Sequence, residues 1–406
     1  MKKILLAEYI YTDNKVVKNH GIVFDKKIIK IAPKSRILKE YKDAEVIRYP
    51  KGSMLFPGLI NAHVHIEFSA NKTTLSYGDF ITWLYSVIEN REDLMQECQK
   101  ECMQKAVDRM LERGITTFGA ISSHGLDLEV CANAKQNVVF FNELIGSQPA
   151  AADVLFGDFL ERLEHAKAVK RDGFYPAVAI HSPYSVHPIL IQKAIEVVKK
   201  QKLLLTAHFM ESPAEREWID KSSGDFKVFF EKFLNQSNAV TNAKEFLSHF
   251  QDIPTLFAHG VEISKEELDG LSNEGHTIIH CPISNRLLGN NLLDIKALEE
   301  AKIRWIVATD GLSSNYDLDL WEEMKIALFA QTKLPLEPFA KALLDGVTKN
   351  AALALGLSKG VLKDGYDADI LVMQLDEKLP EPLELHMILH RYEIIDRYIL
   401  GERISI

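Results

Sequence analysis

The stretch FPGLINAHVHIEF, residues 56–68, decides how the rest of the chain is read. An apolar β-rich run ends in His63 and His65, two histidines one residue apart. On a strand, residues i and i+2 face the same way, so both imidazoles project from one side of the strand's end. Seven further runs downstream have the same form: GITTFGAIS, NVVFFNELIG, YPAVAIHSP, LLLTAHFME, IPTLFAHG, HTIIHCPIS and IRWIVATDG. Several have continuous apolar cores, as strands buried on both faces do. Amphipathic helical patterns lie between them, such as residues 89–114, which stop at Gly114 as a helix should. Eight strand–helix units in series predict an α/β fold, a (β/α)8 TIM-type barrel over residues 55–360.

The two chain ends break that rhythm. Residues 1–54 and 361–406 read as short strands with turns, and the simplest account joins them in one small β-sandwich domain beside the barrel. The segment from Glu211 to Asp252 is longer than an ordinary barrel connection and reads as a substrate lid or a solvated helix pair.

Bulk properties exclude several classes. At 406 residues the chain is long enough for a large barrel with an added domain. A net charge of −9 argues against a nucleic-acid partner, which needs a basic footprint. No run reaches membrane-span length, and the N-terminal apolar patch, broken by Glu8, reads as a strand and not as a signal peptide. Cys98, Cys102, Cys131 and Cys281 form no metal-type pair and read as free thiols of a cytoplasmic protein.

In such a barrel, chemistry sits at the C-terminal ends of the strands. Those ends bear His63 and His65, then His181, His208 with Glu211 three residues on, His259, His280 and Asp310. One strand-end histidine is more often a hydrogen-bonded polar residue than a ligand. His20, His124, His165, His249, His276, His386 and His390 are read that way. The His63–His65 pair with His208 and Asp310 is a stronger pattern, because imidazole nitrogens plus one carboxylate oxygen suit one divalent ion, zinc or iron(II). Such an ion lowers the pKa of a bound water towards neutrality, to about 7 in favourable zinc sites, and so provides a hydroxide nucleophile. Glu211 is placed to pass a proton. It also fits the start of a helix at Ser212-Pro213.

FPGLINAHVH, HSPYS, TAHFME, AHG, HCPISNRLLG, ATDGLSSNYDLDLWEEM, TKNAALALGL and GYDADILV, in this order over almost the whole chain, resemble the amidohydrolase superfamily. Within it the likeness is to the chlorohydrolase, cytosine deaminase and adenosine-type deaminase branch. The resemblance implies that His63, His65, His208 and Asp310 bind the metal and that Glu211 protonates a purine-like ring nitrogen. It also implies that His259 hydrogen-bonds the hydroxide and the tetrahedral intermediate, and that Asp310 accepts the water's proton. The run YPAVAIHSP has no lysine to carboxylate, which favours one metal, with Glu143 the only residue able to bridge a second.

The segment around Trp83, Leu84 and Glu89 resembles one in S-adenosylhomocysteine and thioadenosine deaminases. It implies ribose binding by Glu89 (Glu92 as the fallback) and nucleoside contact by His181. A narrower resemblance, over residues 63–92, is to the 6-aminodeoxyfutalosine deaminases of ε-proteobacteria. It implies hydrolysis of that adenine nucleoside to futalosine and ammonia in menaquinone biosynthesis. Phe226, Phe229 and Phe230 would wall the 5′ substituent, and Arg286, or Ser147 and Gln148, would hold its carboxylate. No arginine follows the third run until Arg162, which weighs against S-adenosylhomocysteine. Methylthioadenosine, S-adenosylhomocysteine, adenosine and guanine remain as alternative substrates, and a non-catalytic binding scaffold as a remote one. The expected partner is a small-molecule nucleoside, with no nucleic acid, no membrane and a homodimer left open.

Overall fold

The computed structural model describes residues 2–13, 15–71, 74–97, 99–272, 275–375, 378–390 and 392–405. Eight parallel strands pair in sequence order: β1 (Leu59–Val64), β2 (Ile115–Ser122), β3 (Asn137–Leu144), β4 (Phe174–Ile180), β5 (Leu205–Phe209), β6 (Thr255–His259), β7 (Thr277–His280) and β8 (Arg304–Val307). Seven lie within the predicted runs, and β4 begins one residue before its run, at Phe174. Past β8, Asp310 donates its backbone N–H to His63 O at 3.2 Å, and Thr309 N donates to Asn61 Oδ1 at 3.1 Å. These bonds bring the last strand back to the first and nearly close the barrel.

The opening stretch holds two strands, not one. Ser53–Pro57 pairs antiparallel with Ile370–Gln374 and parallel with Tyr9–Thr12, in a six-stranded sheet built from both chain ends. The switch comes at Gly58, where a Cβ would stand 2.0 Å from Thr116 Oγ1, so only glycine lets the chain cross from one sheet to the other. A second, four-stranded sheet is drawn from residues 3–48. Leu5, Ile22 and Phe24 from that sheet share one buried cluster with Leu55, Ile370 and Tyr398 from the six-stranded one. Facing sheets with a common apolar core form the expected sandwich.

A buried charge network joins these sheets to the barrel. Lys359 Nζ lies 2.9 Å from Asp369 Oδ2, which also accepts from Asn137 Nδ2 at the start of β3. Asp369 Oδ1 accepts from Leu400 N. Both charged side chains are 1% exposed. Removing one partner of such a pair leaves the other charge buried without compensation. Lys359→Met is therefore expected to destabilise the protein by about 3–5 kcal/mol, read as a lower urea midpoint. An unchanged midpoint would show that the network carries no stability.

The helices that shape the barrel mouth are α1 (Phe80–Glu89), α2 (Arg91–Glu97), α3 (Ala152–Ala168), α4 (Pro213–Lys221), α5 (Asp225–Leu234) and α6 (Pro282–Leu287). The single helix expected over residues 89–114 is two, α2 and Lys100–Glu112. Cys131 and Cys281 are buried free thiols, as expected. Cys102 is disulfide-bonded, against the expectation of four free thiols; Cys98 lies outside the described residues. Among the described residues no helix is long and apolar enough to cross a membrane.

Candidate active site

The barrel axis is filled by Ile60 and Ala62 of β1, Val139 and Phe141 of β3, Ala177 and Ala179 of β4, and Leu256 and Ala258 of β6. Strict alternation from Ile60 and Ala62 would next send Val64 inward. A register irregularity between Asn61 and Val64 intervenes, and His63 and His65 take the axial position instead. At the ends of β6 and β8 the corresponding break is backbone strain: His259, the last residue of β6, has φ +71°, and Asp310, past β8, has φ +57°. Left-handed backbone at non-glycine residues costs roughly 1–3 kcal/mol each and gathers at functional sites.

The strand-end side chains converge. His65 Nε2 lies 3.4 Å from His208 Nε2, and Asp310 Oδ1 lies 3.7 Å from His63 Nε2 and 3.6 Å from His65 Nε2. His63, His65 and His208 each offer a ring nitrogen within 4.8 Å of the others, as Glu211, His259 and Asp310 offer ligand atoms. His63 is fully buried, yet neither of its ring nitrogens has a hydrogen-bond partner. Buried polar atoms are almost always paired, so these nitrogens point to an ion as their partner. Two nitrogens sharing one tetrahedral ion at about 2.0–2.1 Å each stand roughly 3.3–3.4 Å apart, which the His65–His208 separation matches. Burial also pushes His65 down to about 3 and His208 well below the usual imidazole value. The rings are thus neutral, as ligands must be. The residues fit a divalent metal ion.

Neighbouring groups fix each member. His208 Nδ1 donates to His181 O at 3.0 Å, which turns Nε2 inward. Asp310 Oδ2 accepts from Ser284 Oγ at 2.8 Å and Ser314 Oγ at 2.6 Å, leaving Oδ1 towards the histidines. Burial would raise the Asp310 carboxyl, but the imidazoles of His63, His65 and His259 hold it well below the ordinary range. Asn285 Oδ1 accepts from His259 Nδ1 at 3.0 Å, so His259 Nε2 faces Glu211 Oε1 at 3.5 Å. Burial first, then the Asp310 and Glu215 charges, push Glu211 well above the usual carboxyl value. Glu215, on α4, accepts from Met210 N and Glu211 N and so sets the turn that aims Glu211.

These groups open into a cavity of 680 Å³, within the roughly 300–1,000 Å³ of small-molecule pockets. His65, His181, His208, Glu211, His259 and Asp310 line it, with Ser147 and Gln148 further out. Phe229 and Phe230 of α5 line it as well, while Phe226 is buried against Phe230 and Tyr184. Glu89 and Arg286 are exposed and outside the lining, as is Glu92. For Glu89 the helix phase explains this: α1 turns Trp83, Leu84, Val87 and Ile88 inward, and Glu89 falls one step round. Glu143 groups with His181 and His208, and burial raises its carboxyl to about 8.

Several lining or supporting residues escaped the sequence reading. Arg162 comes back to the cavity on the inward face of α3, so distance along the chain did not keep it from the loop after β3. His124, read as an ordinary polar residue, lines the wall with Arg91. Glu67 accepts backbone N–H bonds from Ser123, His124 and Leu126, tying the end of β1 to that of β2. Its signal was present, since it continues the i+2 series from His63 and His65.

Residues 54–399 match the family model described as the Amidohydrolase family. The chain belongs to the amidohydrolase family. This amidohydrolase is 46% identical to an aminodeoxyfutalosine deaminase of a Nitratiruptor species, over 98% of each chain. It is 33% identical to an adenosine deaminase of Helicobacter pylori, over the full length of both. The crystal structure of Helicobacter pylori aminofutalosine deaminase in complex with methylthio-coformycin matches it with a TM-score of 0.93 at 33% identity, over 99% of this chain and 100% of that one.

Proposed function

We propose that this amidohydrolase converts 6-aminodeoxyfutalosine and water to futalosine and ammonia, a step of menaquinone biosynthesis, in the cytoplasm. One divalent ion, zinc or iron(II), would be held by His63, His65, His208 and Asp310. When bound, it supplies a Lewis acid that acidifies water at neutral pH. The observation that carries the reading is a single cavity joining this cluster and Glu211 to an apolar slot, in a chain with a near full-length likeness to an aminodeoxyfutalosine deaminase.

The residues divide the work. Glu211, protonated by its buried setting, gives a proton to N1 of the adenine ring and makes C6 electrophilic. Asp310 takes one proton from the attacking water and returns it to the departing amine, and the water's other proton passes to Glu211 as the C6 carbonyl forms, which restores the acid. His259, its ring fixed by Asn285, hydrogen-bonds the oxygen that arrives at C6. His181, whose Nδ1 is held by Ser185 Oγ at 2.6 Å, offers Nε2 to the purine. The bond broken is C6–N; the bond formed is C6–O.

The test is ammonia release by metal-loaded protein from 6-aminodeoxyfutalosine, methylthioadenosine, S-adenosylhomocysteine, adenosine and guanine, compared by kcat/KM. The expected order puts the first compound clearly ahead. Equal or better turnover of adenosine would move the assignment to the activity named for the Helicobacter pylori adenosine deaminase. With Arg162 in the wall, S-adenosylhomocysteine is a needed comparison, since its carboxylate also has a cation within the cavity.

The apolar slot gives a second prediction. Phe229 is 7% exposed and packs edge-to-face with Phe230. Phe229→Ala is expected to raise KM for a 5′-extended nucleoside by roughly tenfold or more, the worth of one buried aromatic contact. A similar loss with unsubstituted adenosine would place Phe229 in the scaffold of α5 and not in the slot.

A further inference from the structure

Away from the histidine cluster the cavity wall changes character. It is apolar along Leu84 and Ile88 of α1 and Leu155 of α3, then cationic at Arg91 and Arg162. The spacing is regular on both sides. Leu84 and Ile88 stand at i and i+4 on α1 and Arg91 opens α2 just past its end, while Leu155, Asp158 and Arg162 stand at i, i+3 and i+7 on α3, so both sides of the wall pass from an apolar side chain to a guanidinium.

The two guanidiniums bear on one ring. Arg91 Nη2 lies 2.8 Å from His124 Nε2. Burial, and the charges of Arg91 and Arg162 set against that of Glu67, keep His124 below the usual imidazole value, so the ring accepts from Arg91. Arg162 is held rigid: its Nε donates to Asp158 Oδ2 at 2.9 Å, its Nη1 to Ser122 O at 3.3 Å and its Nη2 to Glu143 O at 2.9 Å. Arg162 is committed to Asp158, and the buried Glu67 carboxylate is committed to the backbone N–H groups of Ser123, His124 and Leu126, so the Arg91 guanidinium is the group at this end placed to take up a single carboxylate. Neither earlier choice competes on charge. Arg286 lies off the cavity, and Ser147 Oγ and Gln148 Nε2 are engaged with Gln236 Oε1 at 3.0 and 3.3 Å.

We propose that Arg91 and Arg162 are the specificity-determining anion site of the cavity, holding the terminal carboxylate of the substrate's 5′ arm while the apolar stripes pack on its aryl ring. This deepens the proposed function and rests on it. Arg91 makes the contact by a charge-assisted hydrogen bond, and Arg162 supplies fixed positive potential behind it.

The experiment compares kcat/KM for 6-aminodeoxyfutalosine with that for its 5′-aryl carboxamide, which keeps the shape and loses the charge. Methylthioadenosine is the unextended reference. Wild-type protein is expected to prefer the carboxylate over the carboxamide by roughly 10–100-fold, the scale of one charge-assisted hydrogen bond. In Arg91→Gln that ratio is expected to fall towards one, and Arg91→Lys to restore part of it. Arg162 also braces two carbonyls, so Arg162→Lys is read through the same ratio and not through absolute rates. A wild-type preference that survives in both Arg91→Gln and Arg162→Lys overturns the site and moves the carboxylate to Ser147 and Gln148. A wild type that turns over methylthioadenosine as well as the extended nucleoside overturns the substrate reading itself, and the anion site with it.

Discussion

Replacing Glu211 with glutamine is expected to lower kcat by roughly 10²–10⁴-fold and to leave the metal content of the protein unchanged. Glutamine keeps the side chain's volume and its place beside His259, so packing and the aim of the turn after β5 persist. What disappears is a transferable proton. Glu211 is 6% exposed, and burial with the nearby Asp310 and Glu215 carboxyls pushes it well above the usual carboxyl value, towards the protonated form. That is the state in which it can donate to a ring nitrogen. The paired measurement separates two roles, because Glu211 also stands within 4.8 Å of His259 and Asp310 and could contribute a ligand atom. Loss of rate with metal retained identifies a proton carrier. Loss of both identifies a ligand, and full activity removes Glu211 from the reaction.

How far the sequence revealed this site follows from where each residue sits on its element. Strand ends were legible, because a buried parallel strand is an apolar run and its terminus is where the run breaks. His65, His208, His259 and Asp310 all stand at such breaks and reach two groups at the barrel mouth, His65 and His208 with His63, and His259 and Asp310 with Glu211. Even there the route differed from simple alternation: His63 and His65 face the axis through a register irregularity, and His259 through left-handed backbone. Helix faces were less legible. Glu89, placed by local likeness, and Arg286, placed by its position after β7, turned outward, while Arg91 and Arg162 turned in, because one residue of helix phase swings a side chain by about 100°. Least legible were groups that act through a third partner. Nothing local shows that Asn285 will meet a ring at residue 259, or that Ser284 and Ser314 will share Asp310 Oδ2. The break at Gly58 is of the same kind, since it depends on Thr116 from the neighbouring strand.

The metal cluster makes the second large prediction. His65→Ala is expected to lose metal and activity together. His65 stands between two other members of the cluster, 3.4 Å from His208 Nε2 and 3.6 Å from Asp310 Oδ1, and its own ring is kept neutral by burial. Outer hydrogen-bond partners of a metal site cost roughly 10–100-fold in affinity when removed, and a ligand costs more. Bound metal, measured by elemental analysis after gel filtration, should therefore fall at least about tenfold. Thermal unfolding gives a readout independent of turnover. An ion that binds only the folded protein stabilises it by about 2.7 kcal/mol at a free concentration 100 times its Kd. Wild-type protein should thus unfold at lower temperature after chelation and recover when metal is restored, whereas His65→Ala should show neither change. His63→Ala should behave alike, since that ring is buried with both nitrogens unpartnered. A His65→Ala protein that stays loaded and active would mean that the ion is held by the other cluster, Glu211, His259 and Asp310. The assignment of His65 as a ligand would then be wrong, and Glu211 would have to be a ligand and not a proton carrier.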